Sequence, residues 1–140
     1  MTEETTTGVR DLGGDGLPES RTVAVTAAKA AAAKQAERIV VLDVSEVIVI
    51  TGFFVICSAG TQRQVKTVIQ GVEDEVRALG VRPVRREGED GAGWWLLDYI
   101  DVVVHVFGDE ERDYYDLERL WRDAPVVSWE SGEPEAASGG

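Results

Sequence analysis

The chain has 140 residues and a mass of 15.2 kDa, which suits one small domain and leaves no room for a second core. Hydrophobic residues make up 44% of it and charged residues 29%, a balance that excludes a fully disordered protein. Fourteen basic and 26 acidic side chains give a net charge of −12, which argues against a protein that tracks nucleic-acid phosphates and favours basic partners.

Cysteine content and hydropathy indicate the compartment. Cys57 is the only cysteine, so no internal disulfide can form and a reducing cytoplasm fits best. The acidic N-terminus is unlike a targeting signal, and the most apolar run, residues 47–57, is too short to cross a bilayer. We expect a cytoplasmic protein without membrane association.

The two ends differ from the middle in composition. Residues 1–20 carry a charge of −4 with four glycines, and residues 126–140 carry −3 with no basic side chain. Neither end shows an apolar period, so both are predicted to be flexible acidic tails. The predicted domain, residues 21–125, is left with a charge of −5.

The first half of the domain predicts a helix, two strands and a second helix. Residues 22–36 are dominated by alanine, which favours helix. Residues 38–43 and 53–58 are short apolar, largely β-branched runs that are typical of buried strands. Thr61 is placed to cap a helix with one apolar face, which ends at Gly80.

The second half predicts three strands and a last helix. Residues 83–87 are polar and contain a proline, which is typical of an edge strand. Residues 94–99 and 101–107 predict a hairpin, and a helix follows from Asp109 towards Arg122. The order α-β-β-α-β-β-β-α predicts one α/β (α+β) domain: a mixed sheet of about five strands with helices packed on it.

The predicted hairpin sorts its residues onto two faces. If Tyr99 and Ile100 form a two-residue loop, Trp94 lies opposite His105 and Asp98 lies opposite Asp101. Alternation then gives one wholly apolar face, the expected core side: Trp95, Leu97, Val102, Val104 and Val106. The other face is mixed: Trp94, Leu96, Asp98, Asp101, Val103 and His105.

The mixed face allows two interpretations. Two carboxylates directly across a hairpin repel each other, unless a cation or basic partner meets them or they hydrogen-bond the turn backbone. For Asp98 and Asp101 the two interpretations weigh about equally, and His105 alone is more often structural. An exposed Trp94 beside an imidazole, however, is typical of a binding hot spot.

The last helix adds a second candidate patch. Tyr114, Leu117, Leu120 and Trp121 share the stripe expected to face the core. Tyr115 lies off that stripe and groups with Arg112 and Arg119. An ordinary solvated face explains such a patch, although tyrosine and arginine are also the residues most enriched at interfaces.

Signals for catalysis are weak. No phosphate-binding glycine loop or nucleophile elbow is present, and Cys57 in an apolar strand predicts a buried, inert thiol. Asp98, Asp101 and His105 together suit a divalent metal, which keeps a metal-dependent nucleotidyltransferase or nuclease as an alternative. No basic cluster beside them supplies a phosphate clamp, so we expect no enzyme, cofactor or metal.

Five blocks of the sequence form a recognisable series: residues 39–45 (IVVLDVS), 54–56 (FVI), 64–65 (QV), 94–107 (WWLLDYIDVVVHVF) and 112–125 (RDYYDLERLWRDAP). Together these blocks resemble the Iojap/RsfS family, the ribosomal silencing factors. The match covers residues 21–125 in order. Glycine is common in the family where Ile100 stands, so we expect the turn of this chain not to rely on a positive φ there.

This resemblance implies a fold similar to the nucleotidyltransferase fold, without known catalysis. It implies binding to the large ribosomal subunit through universal large-subunit protein fourteen, with little RNA contact, which blocks joining of the small subunit and lowers translation when nutrients are short. The matching partner-binding residues are Trp94, Leu96, Asp98, Asp101, His105, Arg112 and Tyr115. A generic dimerisation module is a further alternative, and a homodimer that pairs through the hairpin would bury Trp94.

Overall fold

The computed structural model describes residues 18–88, 93–115, 119 and 122–130, with no side-chain description for Tyr114 and Tyr115. Three helices and five strands follow the predicted order, which confirms the α+β class. They are α1 (Ser20–Ala33), β1 (Glu37–Asp43), β2 (Phe53–Ala59), α2 (Gln62–Ala78), β3 (Arg85–Glu87), β4 (Trp94–Asp98), β5 (Val102–Gly108) and α3 (Asp109–Tyr115). Within these described parts, no helix is both long and apolar enough to cross a membrane.

The five strands form one mixed sheet in the order β1-β2-β5-β4-β3. β2 and β5 run parallel, while the other three pairings are antiparallel. The crossover from β2 to β5 contains α2, β3 and β4, so α2 lies on one face of the sheet. β3 is short, exposed and charged at the sheet edge, as its polar residues and the preceding Pro83 predict.

Helices α1 and α2 cover one face of the sheet. α1 fits closely because its buried side chains are small: Ala24, Ala27, Ala28 and Ala31 have no more than trace exposure. α2 presents its predicted apolar stripe, and Gly71 on that helix leaves room for the stem of Lys34 after α1. This core is filled from the sheet side as the face assignment predicts, by Trp95, Leu97, Val102, Val104 and Val106.

The hairpin of β4 and β5 has a register that differs from the predicted one by two residues. Trp94 lies opposite Phe107, and Asp98 lies opposite Val103. The N–H of Tyr99 donates to the carbonyl of Val102 at 2.8 Å, so the closing residues are Ile100 and Asp101. A shift of two preserves the alternation, and the predicted faces therefore hold although the predicted opposite pairs were wrong.

The turn also corrects the prediction for Ile100. Its φ is +73°, although we expected this chain to avoid a positive φ at that place. Two-residue hairpin loops need a positive φ at their first central residue so that the turn matches the strand twist. The register of the hairpin therefore imposes on isoleucine a backbone conformation that favours glycine.

The folded domain continues beyond residue 125, where we expected a tail to begin. The N–H of Val127 donates to the carbonyl of Val41, and the N–H of Asp43 donates to Pro125, both at 2.8 Å. Val127 is buried and Trp129 packs partly on the main core. This segment pairs along the outer edge of β1 and covers part of it.

Candidate partner-binding face

The sheet face away from α1 and α2 is only partly covered by the residues that the structure describes. Its rows run across the strands as Leu42–Phe54–Val103–Asp98 and Val40–Ile56–His105–Leu96. Ile48 and Ala124 pack onto it, and Leu42, Ile56, His105 and Phe107 are buried. The partly exposed residues that β2, β4 and β5 contribute to it, named here the open face, are Phe54, Trp94, Leu96, Asp98 and Val103.

His105 lies beneath the open face as a buried, neutral ring. The Trp94 indole Nε1 donates to its Nδ1 at 3.2 Å, which leaves the proton of the neutral imidazole on Nε2. Phe54 meets the ring edge-on at a centroid distance of 4.9 Å. Desolvation in this aromatic surrounding lowers the pKa of His105 to about 4. The predicted contact between Trp94 and His105 therefore exists, but as a diagonal pair rather than an opposite one.

The two predicted carboxylates are held by neighbouring groups. Asp98 Oδ1 accepts the N–H of Ile100 at 2.8 Å, and its Oδ2 lies 3.4 Å from Arg85. Asp101 Oδ2 accepts the hydroxyl of Ser20 at 2.6 Å. These contacts favour the structural interpretation, in which Asp98 hydrogen-bonds the turn and Asp101 ties the hairpin to α1.

Arg112 is buried, contrary to its predicted place on a solvated face with Tyr115 and Arg119. Its Nη2 donates to the carbonyl of Arg38 at 2.7 Å, and its Nη1 lies 3.4 Å from Ser58 Oγ. Arg38 has φ +52° at an irregularity in the pairing of β1 with β2. The carbonyl of Arg38, at this bulge, thus accepts a hydrogen bond from the guanidinium. Arg112 thereby connects α3 to β1 and β2.

Cys57 is wholly buried on the helix side of β2. Desolvation raises the pKa of its thiol to about 12, with a smaller opposing influence from Arg112. The thiolate is therefore scarce at neutral pH, which agrees with the predicted inert thiol. Among the residues that the structure describes, no three His, Cys, Asp or Glu side chains converge as metal ligands.

Comparison with known proteins assigns the family. Residues 17–139 match the model of RsfS, described as "Ribosomal silencing factor during starvation". The chain belongs to this family. Over 106 residues it is 40% identical to the ribosomal silencing factor RsfS of Bacillus subtilis, covering 76% of this chain and 90% of that one.

Relatives with solved structures or from organelles extend the comparison. A crystal structure of a Chromobacterium violaceum protein superposes with a TM-score of 0.71 at 33% identity, covering 74% of this chain and 87% of that one. A mouse protein named "Mitochondrial assembly of ribosomal large subunit protein 1" is 30% identical over 91 residues. That alignment spans 63% of this chain and 40% of the mouse protein.

The predicted site residues of this family member divide by exposure. Trp94, Leu96 and Asp98 lie on the open face, and Asp101 lies exposed at its end. His105 and Arg112 are buried supports beneath or beside it. Tyr115 ends α3, and its side chain lies outside the description, as do those predicted for the last stripe: Tyr114, Leu117, Leu120 and Trp121.

Phe54 was not predicted as a site residue, and Val103 was predicted only as part of the mixed hairpin face. Both are partly exposed and stand side by side in the parallel pairing of β2 with β5. Alternation along β2 places Phe54 and Val55 on opposite faces of the sheet, and this pattern could have predicted that Phe54 lies away from the main core. That β2 lies next to β5 could not be seen in the sequence, since the two strands are separated by 42 positions and three elements.

Proposed function

We propose that this chain binds the large ribosomal subunit through universal large-subunit protein fourteen and sterically blocks joining of the small subunit. Bound in the cytoplasm under nutrient limitation, it lowers translation. Family membership supports the silencing role, and the name of the mouse relative supports the large subunit. We take the open face as the contact surface, with Trp94 and Leu96 from the family blocks at its centre and Asp98 at its rim.

The observation that carries the proposal is an apolar sheet surface that the described helices leave partly uncovered. Sheet faces in a small domain are normally buried against another layer. Here aromatic and aliphatic side chains remain partly exposed, flanked by Asp98 and Asp101. An apolar centre with a charged rim is the usual anatomy of a protein interface, and this acidic rim suits a basic ribosomal protein.

The names of the relatives describe regulators rather than enzymes. Asp98 and Asp101, the carboxylates of the alternative metal-dependent enzyme, contact Arg85, Ser20 and the turn backbone. No observation in the described part of the chain favours the enzyme over a binding role. We therefore propose a steric mechanism in which the chain carries out no reaction of its own.

Sedimentation with separated ribosomal subunits tests the proposal. We expect the wild-type chain to travel with the large subunit and not with the small one. Trp94→Ala should weaken this binding by about 2 kcal/mol, the usual loss at a hot spot. Because Trp94 also packs on His105 and Phe107, Leu96→Ser serves as a second variant with a less connected side chain.

The matched control lies on the opposite side of the molecule. Thr67 is exposed on α2, and Thr67→Ala should leave both binding and stability close to wild type. Thermal unfolding of each variant shows whether a loss of binding reflects a loss of folded protein. Wild-type chain that stays at the top of the gradient with either subunit would overturn the proposed function.

A further inference from the structure

We propose that the loop between β1 and β2 carries a second anchor for the large subunit, formed by Val47, Val49 and Ile50. This inference rests on the proposed function and extends its contact surface beyond the family blocks. The three side chains form what we name the aliphatic loop. Its occupant is an aliphatic surface flanked by lysine or arginine, on the same ribosomal protein that covers the open face.

The exposure of the aliphatic loop is the first observation. Val49 is fully exposed at 101%, Ile50 is 74% exposed and Val47 is 55% exposed. A single exposed aliphatic side chain is ordinary, but three in four consecutive residues form a patch that water solvates poorly. Side chains this exposed contribute little to the free energy of folding. We therefore assign them to contact with a partner.

The loop is held in place rather than hanging free of the domain. The N–H groups of Val47 and Ile48 donate to the carbonyl of Val44 at 3.0 and 2.8 Å. Ser45 donates to Asp43 Oδ1 through its hydroxyl and its backbone N–H, at 2.6 and 3.0 Å. A loop fixed at its start presents an apolar patch with little loss of conformational entropy on binding.

Continuity with the open face is the second observation. Ile48, between the exposed side chains, packs into the same cluster as Phe54 and Trp94. Beyond the loop, the N–H groups of Gly52 and Phe53 both donate to the carbonyl of Asp101, at 2.8 and 2.9 Å. The aliphatic loop therefore adjoins the open face through Ile48 and returns to the sheet beside Asp101, so one partner can cover both surfaces.

Charge defines the kind of partner. Asp43 and Glu46 precede the aliphatic loop, and Asp101 lies where it returns to the sheet. The local negative charge of this rim has the same sign as the net charge of the chain, −12. An aliphatic patch with an acidic rim is complementary to an aliphatic patch with a basic rim, and basic side chains are common on proteins that hold ribosomal RNA.

The test is the affinity of the full chain for purified large subunits, measured by sedimentation for wild type and Val49→Ser/Ile50→Ser. We expect the double variant to bind about tenfold more weakly or worse, with an unchanged melting temperature. Val47→Ser should weaken binding in the same direction. The matched control is Val84→Ser, since Val84 is 63% exposed but lies beside β3 at the far edge of the sheet, and it should bind like wild type.

The outcomes separate the two proposals. If the double variant binds like wild type while Trp94→Ala binds weakly, the aliphatic loop is not an anchor and the proposed function stands. If wild type itself does not bind the large subunit, the proposed function is wrong, and the inference that rests on it is overturned as well. An equal loss in Val84→Ser overturns the loop as a specific site. A double variant that changes only self-association in sedimentation velocity assigns the loop to a second copy of this chain and also overturns the inference.

Discussion

At the scale of the residue, His105 shows how a polar side chain is accommodated within an apolar layer of the sheet. Its Nδ1 accepts from Trp94, while Nε2 is buried without a hydrogen-bond partner among the described residues. An unsatisfied buried donor costs about 1–3 kcal/mol. The neutral ring is tolerated because Phe54, Trp94 and Phe107 surround it with aromatic contacts. The ring meets Trp94 both through this hydrogen bond and through a tilted ring contact at a centroid distance of 5.8 Å.

The depressed pKa of His105 predicts a specific loss of stability in acid. Above its ordinary value of 6.5 neither the folded nor the unfolded chain protonates this ring. Between 6.5 and about 4 only the unfolded chain takes up the proton, so the free energy of unfolding falls by about 1.4 kcal/mol per pH unit. Below about 4 both states are protonated and this contribution stops changing.

Urea unfolding across this range checks the prediction, with His105→Gln as the comparison. The variant keeps every carboxylate, so its stability should fall less steeply from pH 6.5 to 4. Because His105 is the only histidine, an NMR titration of its ring reports the pKa directly. A midpoint near 6.5 in the folded chain would contradict the burial argument.

At the scale of the element, the β4–β5 hairpin is closed by a residue that fits the turn poorly. Ile100 is β-branched, 56% exposed and held at φ +73°. Holding such a residue in the left-handed region costs about 1–2 kcal/mol. Asp98 offsets part of this cost by accepting the N–H of Ile100. The hairpin forms because burial of the apolar residues of its strands stabilises it by more than the strained turn costs.

Ile100→Gly should therefore stabilise the chain. Relief of the positive φ exceeds the extra entropy of glycine in the unfolded state, and we expect a gain of about 0.5–1 kcal/mol in the free energy of unfolding. Val84→Gly removes a similarly exposed side chain at a backbone with ordinary φ, and it should instead lose about 1 kcal/mol. Urea denaturation of both variants is the measurement. A loss of stability in Ile100→Gly would mean that its side chain packs more than its exposure indicates.

At the scale of the whole molecule, the two edges of the sheet are protected from further strand pairing in different ways. β3 is protected by charge and short length, while β1 is paired in part by the segment around Val126. That segment lies between residues 122 and 130 and brings Val127 and Trp129 onto the core. The C-terminal segment therefore adds to stability as well as covering an edge.

Neighbouring valines in this segment predict opposite results. Val127 is 5% exposed, and Val127→Ala should lower the free energy of unfolding by about 2 kcal/mol. Val126 is 72% exposed, and Val126→Ala should change it by less than about 0.5 kcal/mol. Urea denaturation compares the two variants. Equal effects would mean that residues after 125 form the tail that composition suggests.

Much of the fold could be predicted because local patterns and packing agree here. Alternation in β4 and β5 separated Trp95 and Val104 from Trp94 and Leu96, and the structure confirms that division. The apolar stripe of α2 and the charged edge strand were predictable for the same reason. The hairpin register was not, because alternation repeats every two residues and a shift of two leaves each side chain on its face.

The sequence by itself determined the element order, the fold class and which side of the hairpin is core, because these follow from periods of two and 3.6 residues. The family blocks likewise lie in the chain itself. Only the tertiary structure decided that Arg112 is buried, that Phe54 joins Val103, and that the segment around Val127 pairs with β1. These facts depend on contacts between positions far apart in the chain, which local periodicity does not encode.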